Sequence, residues 1–154
     1  MGARVIATSS SDEKLRRARE LGATDTINYR TTPDWAGAAL EMTDGKGVDV
    51  VIDVVGGDGL RDSIRAARGN GVVAVVGFLA GQTANLDLMD VIWHQTRIQG
   101  VAVGHLRSFC ELVNFLDEHE IHPVIDTTYT FEQAHQAYEH LARGAFGKIV
   151  IKIA

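Results

Sequence analysis

Short runs of apolar and β-branched residues alternate with helical patterns along almost the whole chain of 154 residues. Parallel strands need helical crossovers between them, so an alternation of this kind is typical of a parallel sheet. The runs at residues 48–55 and 71–77 are almost wholly apolar, which predicts strands buried on both faces. We therefore expect an α/β fold built on a doubly wound parallel sheet. Strands are predicted at residues 4–8, 25–29, 48–55, 71–77, 97–103 and 148–153.

Capping signals place the helices between these strands. Ser10 and Glu13 form one capping box, ahead of a helix that ends at Gly22. Thr130 and Gln133 form another. Further helices are predicted at residues 33–42, 59–68 and 106–119, and the stretch around Trp93 is predicted to be irregular. Two helices carry an apolar face that we expect to be buried, made of Phe109, Leu112, Val113 and Leu116 in one and of Ala134, Ala137, Tyr138 and Leu141 in the other.

The composition argues against several classes of function. With 15 Lys and Arg against 20 Asp and Glu, the net charge is −5, which argues against a nucleic-acid-binding surface. No apolar run is long enough to cross a bilayer. Cys110 is the single cysteine, so neither a disulfide framework nor a cysteine-ligated zinc site is expected, and its place beside an apolar helix face predicts core packing. A reducing, cytoplasmic location is the default expectation.

The titratable residues form no catalytic or metal-binding pattern. His119 lies at a predicted helix C-terminus, where a cation is favourable in any case. His135 and His140 are five residues apart, which is the wrong spacing for one helix face. We expect neither zinc nor another metal in this chain, and we assign no catalytic residue. Asp53 interrupts an apolar strand and is interpreted as a buried, hydrogen-bonded structural carboxylate.

One glycine motif has the pattern of a phosphate-binding loop without its context. Residues 69–74 spell GNGVVA, which matches G-x-G-x-x-G/A. Such a loop binds a pyrophosphate only when it follows a strand and opens a helix, where free backbone N–H groups point at the ligand. Here the glycines follow a predicted helix and open a strand, so we interpret them as a tight turn.

An ordered series of segments carries a family resemblance. In chain order these segments are GARVIATSSSDEKLRRARELGATDTINYR, GVDVVIDVVGG, GVVAVVGFLAG, RIQGVAVG, TFEQAHQAYEHL and GKIVIKI. The series resembles the medium-chain dehydrogenase/reductase superfamily, and within it the zinc-type alcohol dehydrogenases and quinone oxidoreductases. The resemblance implies that residues 1–154 are part of a C-terminal, Rossmann-like dinucleotide-binding domain that lacks its first βα unit and glycine-rich loop. It also implies that residues 123–154 are a tail that returns to an N-terminal catalytic domain.

The end of the first strand indicates the cofactor. An NAD-preferring fold places Asp or Glu there for the ribose 2′-hydroxyl, whereas an NADP-preferring fold has small polar and basic groups for the 2′-phosphate. This chain has Ser9, Ser10 and then Lys14. Its nearest acid, Asp12, falls in the first turn of the helix. The resemblance implies that the serines and Lys14 meet the 2′-phosphate with Tyr29 beside it; the alternative is that Ser10 only caps a helix and Lys14 is solvated.

Three further strand ends should complete the cofactor crevice, because ligands bind at the carboxyl ends of parallel strands. The candidate residues there are Val54, Gly56, Val76, Gly77, Phe78, Leu79, Val101 and Val103. The resemblance implies that backbone groups at the last two strand ends orient the nicotinamide carboxamide, and that Lys148 lies near the pyrophosphate. The alternative is that Gly77 is an ordinary strand-end glycine.

The resemblance also implies a function. The chain is expected to be the cofactor-binding part of an NADP(H)-dependent oxidoreductase that transfers hydride to or from an alcohol, carbonyl or quinone, and to be inactive by itself. The alternative is a non-catalytic, truncated Rossmann-like module with a dimerisation or regulatory role. A homodimer through the edge strand at residues 97–103 is also implied, and an apolar edge strand is a template for such pairing.

The strand order of the fold predicts a gap. In the order 3-2-1-4-5-6 strand 1 is central, and the first strand of this chain corresponds to strand 2. We therefore expect a gap between residues 4–8 and 49–54. Either these strands pair directly, or another chain fills the gap, or a segment outside this sequence does, and we favour the last because unpaired backbone groups must find partners.

Overall fold

The computed structural model describes residues 2–153, and the chain divides after Ala102 into two compact units. In the first unit strands alternate with helices: β1 (Ile6–Ser9), α1 (Asp12–Glu20), β2 (Asp25–Asn28), α2 (Trp35–Glu41), β3 (Val48–Asp53), α3 (Leu60–Ala66), β4 (Ala67–Val75), α4 (Leu88–His94) and β5 (Arg97–Gly100). The second unit contains α5 (Leu106–Glu118), β6 (Ile125–Thr130), α6 (Ala134–Arg143) and β7 (Lys148–Lys152). The predicted alternation is confirmed. None of these described helices is long and apolar enough to cross a membrane.

All strand ladders in the described residues are parallel. β1 pairs with β2, β4 lies between β3 and β5, and β6 pairs with β7. Within residues 2–153 no ladder joins β1 to β3, so the gap expected from the strand order is present and the two strands do not pair directly. The facing edges of β1 and β3 therefore present backbone groups without a strand partner in this part of the chain.

Helices α2 and α3 pack on each other and connect the two sheets of the first unit. They share an apolar cluster whose buried members are Ile27, Ala36, Ala39 and Ala66, with Ile6 of β1 and Val51 of β3 packed against it. A second cluster lies between α3 and β4, and its buried members are Leu60, Ile64, Ala67 and Val73. Val51 touches both clusters, so β3 is attached to the core through one face.

The prediction that β3 is buried on both faces is wrong. Val50 and Ile52, which alternate with Val51, are 52% and 64% exposed. Successive side chains of a strand point to opposite faces of the sheet. The helices of the described chain cover only the face of Val51, because α2 and α3 both lie on that side. An apolar row on β3 is therefore left uncovered.

Helix α1 begins one residue later than its predicted capping box. Ser11 is the N-cap rather than Ser10, and the Ser11 hydroxyl oxygen accepts the backbone N–H of Lys14 at 3.4 Å. The Ser9 hydroxyl in turn accepts the N–H of Ser11 at 3.3 Å. Any of three consecutive serines can supply a cap oxygen, so the pattern alone does not select among them.

Helix α4 lies in the segment that we predicted to be irregular. Asp87 caps its N-terminus by accepting the N–H of Met89 at 2.9 Å. Gln95 ends it in the left-handed conformation, with φ of 51°. The helix has only 7 residues, which is too short for a periodic apolar pattern to stand out.

Strand β4 begins earlier, and β5 ends earlier, than the sequence predicts. β4 takes in the GNGVVA segment, and its register against β3 shifts there: Val48 pairs with Ala67, whereas Val50 pairs with Val72. Because these glycines run on into a strand, the segment lacks the helix N-terminus that a phosphate loop needs. β5 ends at Gly100 instead of continuing to residue 103.

In the second unit the Thr130–Gln133 capping box is confirmed, since the Gln133 side chain accepts the N–H of Thr130 at 3.1 Å. The predicted burial of the helix faces is mostly wrong. On α6 Ala137 is buried, whereas Tyr138 and Leu141 are exposed. On α5 the exposed residues that we expected in a core are Phe109, Cys110, Leu112 and Val113. The two-stranded sheet of this unit offers too little surface to cover both helices.

We expect Ile64→Ala to lower the free energy of unfolding by about 2–5 kcal/mol, because the Ile64 side chain is fully buried and truncation leaves a cavity. Ile52→Ala is the matched control, since it removes the same atoms from an exposed side chain, and it should change stability by less than about 0.5 kcal/mol. Urea denaturation of both variants measures the difference. Equal losses would contradict the assignment of the core.

Candidate functional site

A cavity of about 640 Å³ opens at the carboxyl ends of β3, β4 and β5. Its lining comes from the loops that leave these strands: Gly56, Gly57 and Leu60 after β3, Val75 to Phe78 and Gly81 to Ala84 after β4, and Gly100 to Ala102 after β5. None of these lining residues carries a charge. A concave, mostly apolar volume edged by backbone groups is typical of a small-molecule site.

Five of the residues predicted to contact a cofactor lie together around this cavity. They are Gly56, Val76, Gly77, Phe78 and Val101. Three different strands contribute them, as the rule on the carboxyl ends of parallel strands requires. Their role in binding stays a prediction, but the structure assigns them to one volume.

The other predicted residues lie elsewhere. Val54 is next to the cavity wall without lining it, and Leu79 is 86% exposed. Val103 and Lys148 belong to the second unit and are both exposed. The predicted contact of Lys148 with a pyrophosphate therefore stays a prediction.

The backbones of two loops approach each other closely at the cavity wall. A Cβ atom built on Gly77 would overlap the carbonyl oxygen of Val54. A Cβ atom built on Gly56 would lie 2.8 Å from the carbonyl oxygen of Gly77, and Gly56 has a positive φ of 63° besides. Any side chain at either position would push the loops apart, so both glycines are required by the shape of this wall.

Asp53, at the end of β3, is the structural carboxylate that the sequence predicts. Its side chain is 5% exposed. Its carboxylate accepts the backbone N–H groups of Val55 at 2.9 Å and of Gly56 at 2.8 Å, and the hydroxyl of Ser63 at 2.8 Å. Since hydrogen bonds compensate for burial of a charge, this carboxylate is stabilised without a salt bridge.

The residues predicted to contact a 2′-phosphate lie at the ends of β1 and β2. Ser9 pairs with Asn28 in the ladder, and its carbonyl oxygen accepts the N–H of Tyr29 at 3.1 Å. Ser10 follows directly, and Lys14 lies one turn into α1, bonded through its N–H to the cap residue Ser11. The structure thus brings the four predicted residues to one end of this small sheet.

The acid nearest to this group is already engaged. The Asp12 carboxylate accepts a hydrogen bond from the side-chain amide of Asn28 at 2.7 Å. The same Asn28 side chain accepts the N–H of Arg30 at 3.0 Å. Asp12 therefore belongs to a polar contact between α1 and β2 at this position.

Sequence reasoning missed part of the cavity. The loop from Gly81 to Ala84 lines it and carries no motif. Residues 56–59 spell GGDG between β3 and a helix, which is the context of a phosphate loop, but Asp62 stands where the third glycine of that fingerprint would be. The loop at residues 56–59 can be recognised in the sequence from its position after an apolar strand, but not from its glycine pattern.

Titratable groups elsewhere have structural roles. Tyr129 and His140 are joined by a 3.0 Å hydrogen bond, and the other ring nitrogen of His140 lies 3.3 Å from Asp126. This chain of polar groups links α6 to β6, and none of its three members lines the cavity described above. In the part of the chain that the structure describes, no group of three or more His, Cys, Asp and Glu residues is arranged to hold a metal ion.

A parallel α/β domain with an apolar cavity at the carboxyl ends of its strands defines the class of Rossmann-like domains. A family model described as zinc-binding dehydrogenase matches residues 1–118. The chain belongs to this family, within the medium-chain dehydrogenase/reductase superfamily, and the resemblance seen in the sequence is confirmed.

Individual relatives agree with this assignment. The chain is 42% identical over 157 residues to the zinc-type alcohol dehydrogenase-like protein C1773.06c of Schizosaccharomyces pombe, across 99% of this chain and 45% of that protein. It is 31% identical to quinone oxidoreductase-like protein 2 of Bos taurus, across 98% of this chain and 46% of that protein. The crystal structure of an NAD-dependent alcohol dehydrogenase matches with a TM-score of 0.85 and 34% identity, across 99% of this chain and 45% of the other. The chain thus spans less than half the length of these relatives.

Gly77→Ala should destabilise the first unit by about 1–3 kcal/mol, because the new methyl group has no space beside the carbonyl oxygen of Val54. Gly100→Ala is the matched control at another strand end of the same cavity, where a Cβ meets nothing within 4 Å. That variant should remain within about 1 kcal/mol of the wild type. Thermal and urea unfolding of the two variants test the expectation, and a larger loss in Gly100→Ala would refute it.

Proposed function

We propose that this chain is the cofactor-binding part of an NADP(H)-dependent oxidoreductase that transfers hydride to or from an alcohol, carbonyl or quinone substrate. The cavity at the carboxyl ends of β3, β4 and β5 is the observation that carries the proposal. The relatives that are zinc-type alcohol dehydrogenase-like and quinone oxidoreductase-like support this range of substrates.

The cavity suits the nicotinamide half of such a cofactor. Its volume of about 640 Å³ lies within the usual range of ligand pockets, about 300–1,000 Å³. Leu60, Phe78 and Val101 offer apolar surface to a flat ring. The carboxamide of that ring needs hydrogen-bonding groups, and the strand-end backbones that line the cavity supply them.

When bound, the cofactor supplies the hydride chemistry, and the protein's contribution is to bind and orient it. The lining residues are uncharged, so orientation depends on backbone groups held in place by Gly56 and Gly77 and on the polar side chains of Gln82 and Thr83. No residue of this chain is assigned a proton-transfer role in the proposal.

The preference for NADP(H) rests on the other group of residues. Ser9, Ser10 and Lys14 offer hydroxyl groups and a cation, which is the donor set that a 2′-phosphate requires. Asp12, the acid that could accept a ribose hydroxyl, already accepts a hydrogen bond from Asn28 through one of its two carboxylate oxygens. These two observations support the 2′-phosphate over the free ribose hydroxyl.

Lys14→Ala should weaken binding of adenosine 2′,5′-bisphosphate by about 1–3 kcal/mol and leave binding of adenosine 5′-monophosphate nearly unchanged, because one charge-assisted hydrogen bond to the 2′-phosphate is lost. These fragments test the site without requiring contacts to a pyrophosphate. Titration of the 154-residue chain, followed by NMR, measures both affinities.

Lys46→Ala is the control for a general loss of positive charge, since Lys46 is exposed in the loop before β3. It should leave both affinities unchanged. An equal loss for both nucleotides in Lys14→Ala, or a loss in Lys46→Ala of the same size, would refute the 2′-phosphate assignment.

We also propose that the chain forms a homodimer through β5. β5 is the outer strand of its sheet, its residues are exposed, and Ile98 and Val101 present apolar side chains there. An exposed apolar edge of this kind is a template for pairing with a second copy. The strand is shorter than predicted, but Val101 still donates its N–H to Val75 at 2.9 Å, so the ordered edge extends past Gly100.

Ile98→Lys should convert the dimer to a monomer, because a buried lysine without a partner is costly at such an interface. Thr32→Lys adds the same charge at an exposed loop position and should leave the dimer intact. Sedimentation velocity of the wild type and both variants provides the measurement. A wild-type chain that sediments as a monomer would rule the interface out.

A further inference from the structure

Asp53 forms hydrogen bonds with both loops whose backbones meet at the cavity wall, the loop after β3 and the loop after β4. Through its carboxylate it binds the N–H groups of Val55 and Gly56. Through its backbone carbonyl oxygen it accepts the N–H of Val76 at 2.7 Å and of Gly77 at 3.3 Å. One buried residue outside the cavity lining thus fixes four backbone groups beside it.

The Asp53 carboxylate helps to hold the conformation of Gly56. Gly56 has φ of 63° and ψ of −154°, one of several regions that glycine populates readily, so neighbouring contacts must select it. The hydrogen bond from its N–H to the Asp53 carboxylate, at 2.8 Å, is one of the contacts that select this conformation. Without an acceptor there, the N–H of Gly56 would lose its partner, and only the bond from the N–H of Ala80 to the carbonyl oxygen of Val55 would hold this peptide.

Two hydrogen bonds connect the loop after β3 to the loop after β4. The carbonyl oxygen of Val55 accepts the N–H of Ala80 at 2.8 Å, and the N–H of Gly57 donates to Gly81 at 3.1 Å. Both partners belong to the loop after β4, part of which lines the cavity. A movement of residues 54–57 would therefore displace the opposite side of the same wall.

Ser63 keeps the carboxylate in its orientation. Ser63 is buried on α3, and its hydroxyl donates to the second oxygen of Asp53 at 2.8 Å. This contact leaves the first oxygen directed at Val55 and Gly56. Through Ser63, the orientation of the loop after β3 thus depends on α3, which is part of the apolar core.

We propose that Asp53 is a positioning residue for the nicotinamide half of the cofactor: it contacts no ligand, but it holds residues 54–57 and 76–81 in the only arrangement that forms the binding wall. This inference rests on the proposed function for the identity of the ligand. The acceptor geometry of the side chain, rather than its charge, is what the wall requires.

The test uses the 154-residue chain with two readouts, amide hydrogen exchange at Val55 and Gly56 and NMR titration with nicotinamide mononucleotide. Asp53→Ala should raise exchange at both amides about 100-fold and weaken binding at least about tenfold, as expected for loss of hydrogen bonds to a charged acceptor. Asp53→Asn keeps an acceptor oxygen in place and lets the amide donate to Ser63, so it should restore both readouts to within about threefold of wild type.

Asp49→Ala is the matched control, since Asp49 is an exposed carboxylate on the same strand. Arg68 binds it at 2.6 Å and holds the pKa of its carboxyl below the usual value, but Asp49 makes no contact with the cavity loops. Its removal should leave exchange at Val55 and Gly56, and the affinity, unchanged. If Asp53→Ala does not fold, Ser63→Ala replaces it and should weaken binding about threefold.

Unchanged exchange and affinity in folded Asp53→Ala, or in Ser63→Ala when it replaces that variant, would overturn the inference. A loss in Asp53→Asn as large as in Asp53→Ala would overturn it too, because geometry would then not be the cause. A separate outcome would refute the proposed function. If the wild-type chain has protected amides at Val55 and Gly56 but does not bind nicotinamide mononucleotide, the proposed ligand is wrong, whereas the contacts of Asp53 stand.

Discussion

The contact between α2 and α3 is the interaction on which the rest of the first unit depends. No strand ladder connects β1–β2 with β3–β5 in the described residues, so the two sheets are joined through helix contacts: this packing and the 3.2 Å ion pair of Arg65 on α3 with Asp34 at the start of α2. Ala36 and Ala39 meet Ala66 there, and residues this small allow helix backbones to approach closely. The relative position of the two predicted ligand-binding regions, at the ends of β1 and of β3, therefore depends on this contact between α2 and α3.

The candidate site is built from backbone rather than from reactive side chains. Its polar groups are peptide N–H and C=O groups at strand ends and the side chains of Gln82 and Thr83, and the residues that shape it are Gly56, Gly77 and Asp53. A site of this kind is suited to orienting a cofactor that brings its own chemistry. This explains why the sequence has no recognisable catalytic pair or metal-ligand pattern, although the structure has a cavity at its strand ends.

Local patterns predicted what is local. The alternation of strands and helices, the capping box at Thr130 and the buried carboxylate of Asp53 all depend on neighbouring residues, and each is confirmed. Burial was predicted less well. An apolar pattern indicates that one face of a segment is suited to burial, but it does not show which other element covers that face. Ile52 and Phe109 are apolar and exposed for this reason. The loop from Gly81 to Ala84 was missed because the pairing of β4 with β3 and β5, and not the composition of the loop, brings it to the cavity.

The uncovered apolar row on β3 has a thermodynamic consequence. The heat capacity of unfolding grows with the apolar surface that unfolding newly exposes. Val50 and Ile52, like Ile92 and Trp93 of α4, are already largely in contact with water in the folded first unit. Their hydration hardly changes on unfolding, so the stability of this unit should vary less with temperature than its apolar content suggests. Its dependence on urea concentration should be correspondingly shallow, because that slope follows the same change in exposed surface.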